Sequence, residues 1–118
     1  MRLGTIYVEV GGAELVGELR DFYRDRLGLA VSSEEAGESV WLDAGSVRLG
    51  FHAAPEPEAD PGVVNLSFDV DDVDAMAAAL AAGGVTIAQG PMDVPWGGRA
   101  AVLFDPAGHT VWLSGPSH

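Results

Sequence analysis

The chain contains no cysteine. That excludes disulfides and thiolate metal sites, and it fits a cytoplasmic protein. Basic residues are scarce, 6 against 18 acids, for a formal net charge of −12. A chain so acidic has few cations to set against phosphates, so a nucleic-acid partner is not expected. No apolar stretch is long enough to span a bilayer, so no membrane association is expected either. The Met-Arg-Leu-Gly start runs straight into a strand-like segment, and no secretory signal is expected there. Also missing are a nucleophile elbow, a phosphate-binding loop and a His-Glu-type metal motif.

What the chain does have is one pattern written twice. Residues 5–10, Thr-Ile-Tyr-Val-Glu-Val, match residues 65–70, Asn-Leu-Ser-Phe-Asp-Val. Residues 39–43, Ser-Val-Trp-Leu-Asp, match 101–105, Ala-Val-Leu-Phe-Asp. Residues 44–49 recur, after an inserted Pro106, as residues 107–112, which sets Leu49 against Trp112. A spacing of about sixty residues held over most of the chain implies two similar supersecondary modules. With 118 residues, 47% of them hydrophobic, one domain over 1–118 can build a core. The modules are placed at 1–55 and 62–118. A linker rich in proline and acids, residues 54–62, joins them.

Each half reads as strand, helix, then three strands. Residues 3–10 alternate, with Ile6, Val8 and Val10 on one face and Thr5, Tyr7 and Glu9 on the other. Leu15, Val16, Leu19, Phe22, Tyr23 and Leu27 fall at helical spacing, and Gly28 ends that helix. Strands follow near 29–33, 38–43 and 46–53. In the second half, 63–70 is a strand. Asp71, Asp72 and Asp74 favour a helix start, and Val73, Met76, Ala77 and Leu80 form its stripe. Gly83-Gly84 stops it. Strands follow near 85–88, 99–104 and 109–114, and 90–98 is a loop carrying Trp96.

These motifs resemble a known superfamily. Residues 22–29, Phe-Tyr-Arg-Asp-Arg-Leu-Gly-Leu, are similar to its first-helix signature. Residues 68–74, Phe-Asp-Val-Asp-Asp-Val-Asp, are similar to its second-helix entry. Pro95-Trp96-Gly97-Gly98-Arg99, followed by Asp105-Pro106-Ala107-Gly108-His109, resembles its closing hairpin. The family is the vicinal oxygen chelate superfamily of glyoxalase I, bleomycin-resistance proteins, extradiol dioxygenases and fosfomycin-resistance enzymes. The resemblance implies an α+β fold. Two βαβββ modules would form a curved mixed sheet around a cleft, with the helices on its outer face. It also implies a homodimer with clefts shared between subunits. It does not fix a reaction, since one fold hosts many chemistries.

Enzymes of this family hold a divalent metal on the first and last strands of each module. Carried over, those positions are Thr5, Asn65, Leu49 and Trp112, with about two residues of latitude at Leu49. A divalent cation needs imidazole, carboxylate or several oxygens. Hydroxyl, amide, leucine and indole do not supply them, so neither metal nor cofactor is expected, and no catalytic residue is assigned. His52 is expected to point away from the cleft, and His109 to serve the turn before the last strand.

The cleft lining expected from alternation is Tyr7, Trp41, Leu49, Phe51, Trp96, Leu103 and Trp112. Thr5, Asn65, Ser67 and Thr110 add polar points, and Glu9 and Asp69 are possible rim acids. All three tryptophans map to that surface. Indole and phenol faces stack on flat ligands and attract cations. The expected function is therefore metal-free sequestration of an aromatic or amphipathic antibiotic, cationic ones included, to give drug resistance. Bleomycin-like glycopeptides and polycyclic or enediyne compounds both suit such a lining. The alternatives are a lyase, isomerase or dioxygenase of the same superfamily, with or without metal, and a structural dimer using its tryptophans at the interface.

Overall fold

A computed structural model describes residues 1, 3–53 and 64–117 of the chain. The linker expected at 54–62 lies outside the described residues. The chain divides into two compact units, Met1–Gly62 and Val63–His118.

The first unit runs β1 (Thr5–Val10), α1 (Ala13–Asp21), a π-helical turn (Phe22–Arg26), β2 (Ala30–Glu35), β3 (Ser39–Asp43) and β4 (Arg48–Ala53). Its sheet has the order β1-β4-β3-β2. β1 and β4 are parallel and the other pairs antiparallel. The second unit repeats this with β5 (Asn65–Asp69), α2 (Val73–Ala82), β6 (Ile87–Asp93), β7 (Arg99–Phe104) and β8 (Thr110–Gly115). Its sheet order is β5-β8-β7-β6, with β5 parallel to β8. Each unit is thus a βαβββ module, and the architecture is α+β with two four-stranded mixed sheets.

Apolar periodicity decides which sheet face each helix covers. Val16, Leu19 and Tyr23 are buried along α1 and its π-helical continuation. Tyr23 stacks on Phe51 of β4, ring centroids 5.0 Å apart. Val8, Val10, Val40, Leu42 and Leu49 complete that core. Gly28, at φ 78°, turns the chain out of the helix where a side chain would be strained. In the second unit, the Asp72 carboxylate caps α2 by accepting from the Ala75 amide at 3.0 Å. Val73, Ala77 and Leu80 of α2 are buried, as are Ala101, Leu103, Val111 and Leu113 of the sheet. Burying each large side chain contributes roughly 1.5–3 kcal/mol.

Three expectations need correction. β6 is longer than residues 85–88. It runs from Ile87 to Asp93 through a cis Gly90–Pro91 bond and two register shifts, so residues 90–93 of the expected 90–98 loop are strand. Leu49 and Phe51 lie on the helix side of β4. They pair with Ile6 and Val8 and are 2% and 1% exposed. Leu103 lies on the helix side of β7, opposite Val111 and fully buried. The shared cause is a one-residue slip in matching the halves, which reverses every side chain on a strand. β1 pairs Tyr7 with Gly50, and β5 pairs Ser67 with Trp112. Gly50, not Leu49, is therefore the counterpart of Trp112. By the same ladders Trp41 corresponds to Val102, and Asp43 to Phe104.

Candidate functional site

Each module leaves one sheet face without a helix. In the first module that face carries Thr5, Tyr7 and Glu9 of β1, Arg48, Gly50 and His52 of β4, and Trp41 of β3. The ladder sets Trp41 beside Gly50. Gly50 has no side chain, so the indole lies directly against the strand. A Cβ added there would come within 3.0 Å of three ring carbons of Trp41. The absent side chain is what makes room for the aromatic plane.

Further groups surround that plane. Tyr7 meets Trp41 edge-on, centroids 6.1 Å apart, and remains 60% exposed. His52 stands 6.5 Å from the Tyr7 ring. The Arg48 guanidinium sits 5.0 Å from the centre of the Trp41 ring, within cation–π range. His52 was expected to point away from this face; the register places it here instead, next to Glu9.

In the second module the uncovered face carries Asn65, Ser67 and Asp69 of β5, and Thr110, Trp112 and Ser114 of β8. Val102 and Phe104 of β7 lie beside Trp112 and Thr110. Trp96 reaches toward Trp112 from the β6–β7 turn. The indole centroids are 6.5 Å apart, and Trp96 is 74% exposed. That turn is closed by the Val94 amide donating to the Gly98 carbonyl at 3.2 Å and the Gly97 amide donating to the Val94 carbonyl at 3.0 Å. Arg99 fixes its base through a bidentate pair with Asp74 on α2 and a longer contact to Asp93. The Asp74 carboxylate beside it raises the Arg99 guanidinium above its ordinary range.

Of the residues expected to line the site, Tyr7, Trp41, Asn65, Ser67, Thr110 and Trp112 thus lie on uncovered sheet faces, and Trp96 stands beside Trp112. Leu49, Phe51 and Leu103 do not. The rim acids Glu9 and Asp69 are exposed at the ends of β1 and β5. Arg48, Gly50, His52 and Phe104 share these faces and were missed. A signal for the first three was present. Arg48-Leu49-Gly50-Phe51-His52 alternates polar or small with apolar, and the apolar members belong to the core. His109 is buried in the β7–β8 turn. Its Nδ1 lies 2.7 Å from Asp105 Oδ2, and Asp105 Oδ1 accepts from the Ala107 and His109 amides at 2.9 Å.

The donor set does not suit a divalent metal. With the register corrected, the family's metal positions fall on Thr5, Gly50, Asn65 and Trp112. A hydroxyl and an amide are weak ligands, glycine has no side-chain donor, and indole binds no such ion. Among the described residues no three His, Asp or Glu side chains cluster at metal-binding range. Glu9 and His52 are neighbours but only two.

Known proteins place this architecture. The family model of the Glyoxalase/Bleomycin resistance protein/Dioxygenase superfamily matches residues 16–113. "Putative glyoxylase CFP32" of Mycobacterium tuberculosis is 45% identical over 91 residues, covering 74% of this chain and 34% of that protein. The chain therefore spans about a third of the length of the curated relatives it matches. Among solved structures, TnmS3, an antibiotic binding protein from Streptomyces sp. CB03234, superposes with a TM-score of 0.81 at 28% identity, over 99% of this chain and 97% of that one. A lactoylglutathione lyase from Agrobacterium tumefaciens superposes with a TM-score of 0.78 at 20% identity, over 97% and 92%, a likeness of fold alone. The chain belongs to the glyoxalase/bleomycin resistance protein/dioxygenase superfamily.

Proposed function

We propose that this protein binds a flat aromatic small molecule, an antibiotic, and sequesters it without a covalent step. The observation that carries this reading is the Trp41 indole laid over Gly50 with Tyr7 edge-on beside it, on a sheet face that α1 leaves uncovered. Flat faces of this kind favour planar ligands by stacking, about 0.5–1.5 kcal/mol per aromatic contact beyond burial. Thr5 and His52 supply hydrogen-bonding groups on the same face to fix orientation. The antibiotic-binding neighbour, at 28% identity over nearly the whole chain, supports the same reading.

A second reading, lyase chemistry of the kind suggested by the name of the mycobacterial relative, has the identity to that relative in its favour. The residues at the metal positions weigh against it.

Tryptophan fluorescence titrated with a panel of aromatic antibiotics tests the proposal. Saturable quenching that Trp41→Ala removes is expected. No quenching by any compound would sink it. So would one tightly held Ni²⁺, Zn²⁺ or Fe²⁺ per chain whose chelation abolishes turnover of an α-keto aldehyde thiol adduct.

A further inference from the structure

All six basic residues of the chain are arginines. Arg20, Arg24 and Arg99 are each occupied by carboxylates, at 2.9 and 3.1 Å for Arg20, 2.7 Å for Arg24 and 2.5 Å for Arg99. Arg48 differs. Asp43 stands directly opposite it on β3, yet among the described residues Arg48 makes no ion pair. Its guanidinium lies over Trp41 instead.

That arrangement has a chemical consequence. A guanidinium held near an indole by cation–π attraction spends no N–H donor on it, so its fork of donors stays available to a carboxylate. The ladder holds Arg48, Gly50 and His52 in one row, with Trp41 over the middle position. A planar ligand lying along Trp41 therefore meets a cation at one end of the row. The background field of a −12 chain cannot attract an anion. Any preference for an anionic ligand would have to come from a local cation, and on this face Arg48 is the arginine present.

We infer that the ligand of the first module's uncovered face carries an acidic group, a carboxylate or phenolate attached to its aromatic plane, which Arg48 reads. The inference rests on the stacking role proposed for Trp41 and names its ligand class. It replaces the cationic ligand that composition suggested. Glu9, beside His52 at the other end of the row, disfavours an acid there, and Asp43, opposite Arg48, competes for the same guanidinium.

A matched pair of probes tests this: anthracene carboxylate and its neutral carboxamide, titrated by fluorescence anisotropy at fixed salt. The carboxylate is expected to bind about five- to tenfold more tightly, the range between an exposed ion pair and a charge-assisted hydrogen bond. Arg48→Gln should bring the ratio to near one, with the fold verified by thermal unfolding. Raising ionic strength should shrink the ratio in the unsubstituted protein and leave it flat in the variant. A ratio near one in the unsubstituted protein, or a ratio that survives Arg48→Gln, overturns the acidic-ligand inference while leaving stacking on Trp41 intact. If neither probe binds, the stacking reading and this inference fall together.

Discussion

The two modules solve the same packing problem in opposite ways. In the first, the large residue is on the third strand and the small one on the fourth: Trp41 lies over Gly50. In the second, the sizes are exchanged: Val102 stands beside Trp112. The helper aromatic differs too. Tyr7 comes from the first strand of its own sheet, whereas Trp96 comes from a turn. Charge separates them further, since Arg48 and His52 correspond to Thr110 and Ser114. The repeat has preserved the helix-covered face, where close packing tolerates little change. It has let the uncovered faces diverge, one into a plane flanked by a cation and one into an indole pair.

The largest effects should come from residues that sequence matching assigned to the ligand surface and the register assigns to the core. Phe51→Ala should cost about 3–5 kcal/mol and Leu103→Ala about 2–5 kcal/mol, read by denaturant unfolding. Tyr7→Ala, on the uncovered face, should cost only about 1 kcal/mol while weakening aromatic ligands. Equal costs for Phe51 and Tyr7 would undo the assignment of faces.

The two hairpin turns give the next contrast. Asp105 is buried and accepts from two amides and from His109, so Asp105→Ala should destabilise by about 3 kcal/mol. Asp43 is exposed at the end of β3, and Asp43→Ala should change stability by less than about 0.5 kcal/mol. Thermal unfolding of the two variants side by side measures the difference. Gly50→Ala follows, at about 1–3 kcal/mol, because its Cβ would displace the indole. Adding Trp41→Ala should recover roughly 1 kcal/mol, a coupling expected only if the two positions share one space.

The two-module fold was legible because its signals are redundant. Helical stripes such as Val16, Leu19 and Tyr23 survive an error of one residue. So do β1 and β5, whose faces differ in chemistry: Ile6 and Val8 against Tyr7 and Glu9. β4 and β7 were harder. Leu49, Phe51 and Leu103 are as apolar as the tryptophans they were grouped with, so hydrophobicity alone does not choose a face. The turn decides it. Asp105 resembles Asp43 in sequence but belongs to the β7–β8 turn, where its side chain binds turn amides. Matching the two aspartates slid one ladder by a residue and turned three core side chains outward. Arg48 and His52 were hidden by the same slip.

The smallest effect separates the faces most finely, because it compares one diagonal of the ladder in both modules. Tyr7 and His52 occupy in β1 and β4 the places that Ser67 and Ser114 occupy in β5 and β8. Ser67 and Ser114 are joined by a hydroxyl bond of 3.1 Å, and the Tyr7 and His52 rings stand 6.5 Å apart. Diagonal pairs contribute roughly 0.2–1 kcal/mol, so double-mutant cycles to alanine should return couplings of that order in both. The ligand should tell them apart. A molecule that stacks on Trp41 contacts the Tyr7 side of the first pair. Its saturation should therefore change the Tyr7–His52 coupling. A change in the serine pair alone would move the binding surface to the second module, onto Trp96 and Trp112.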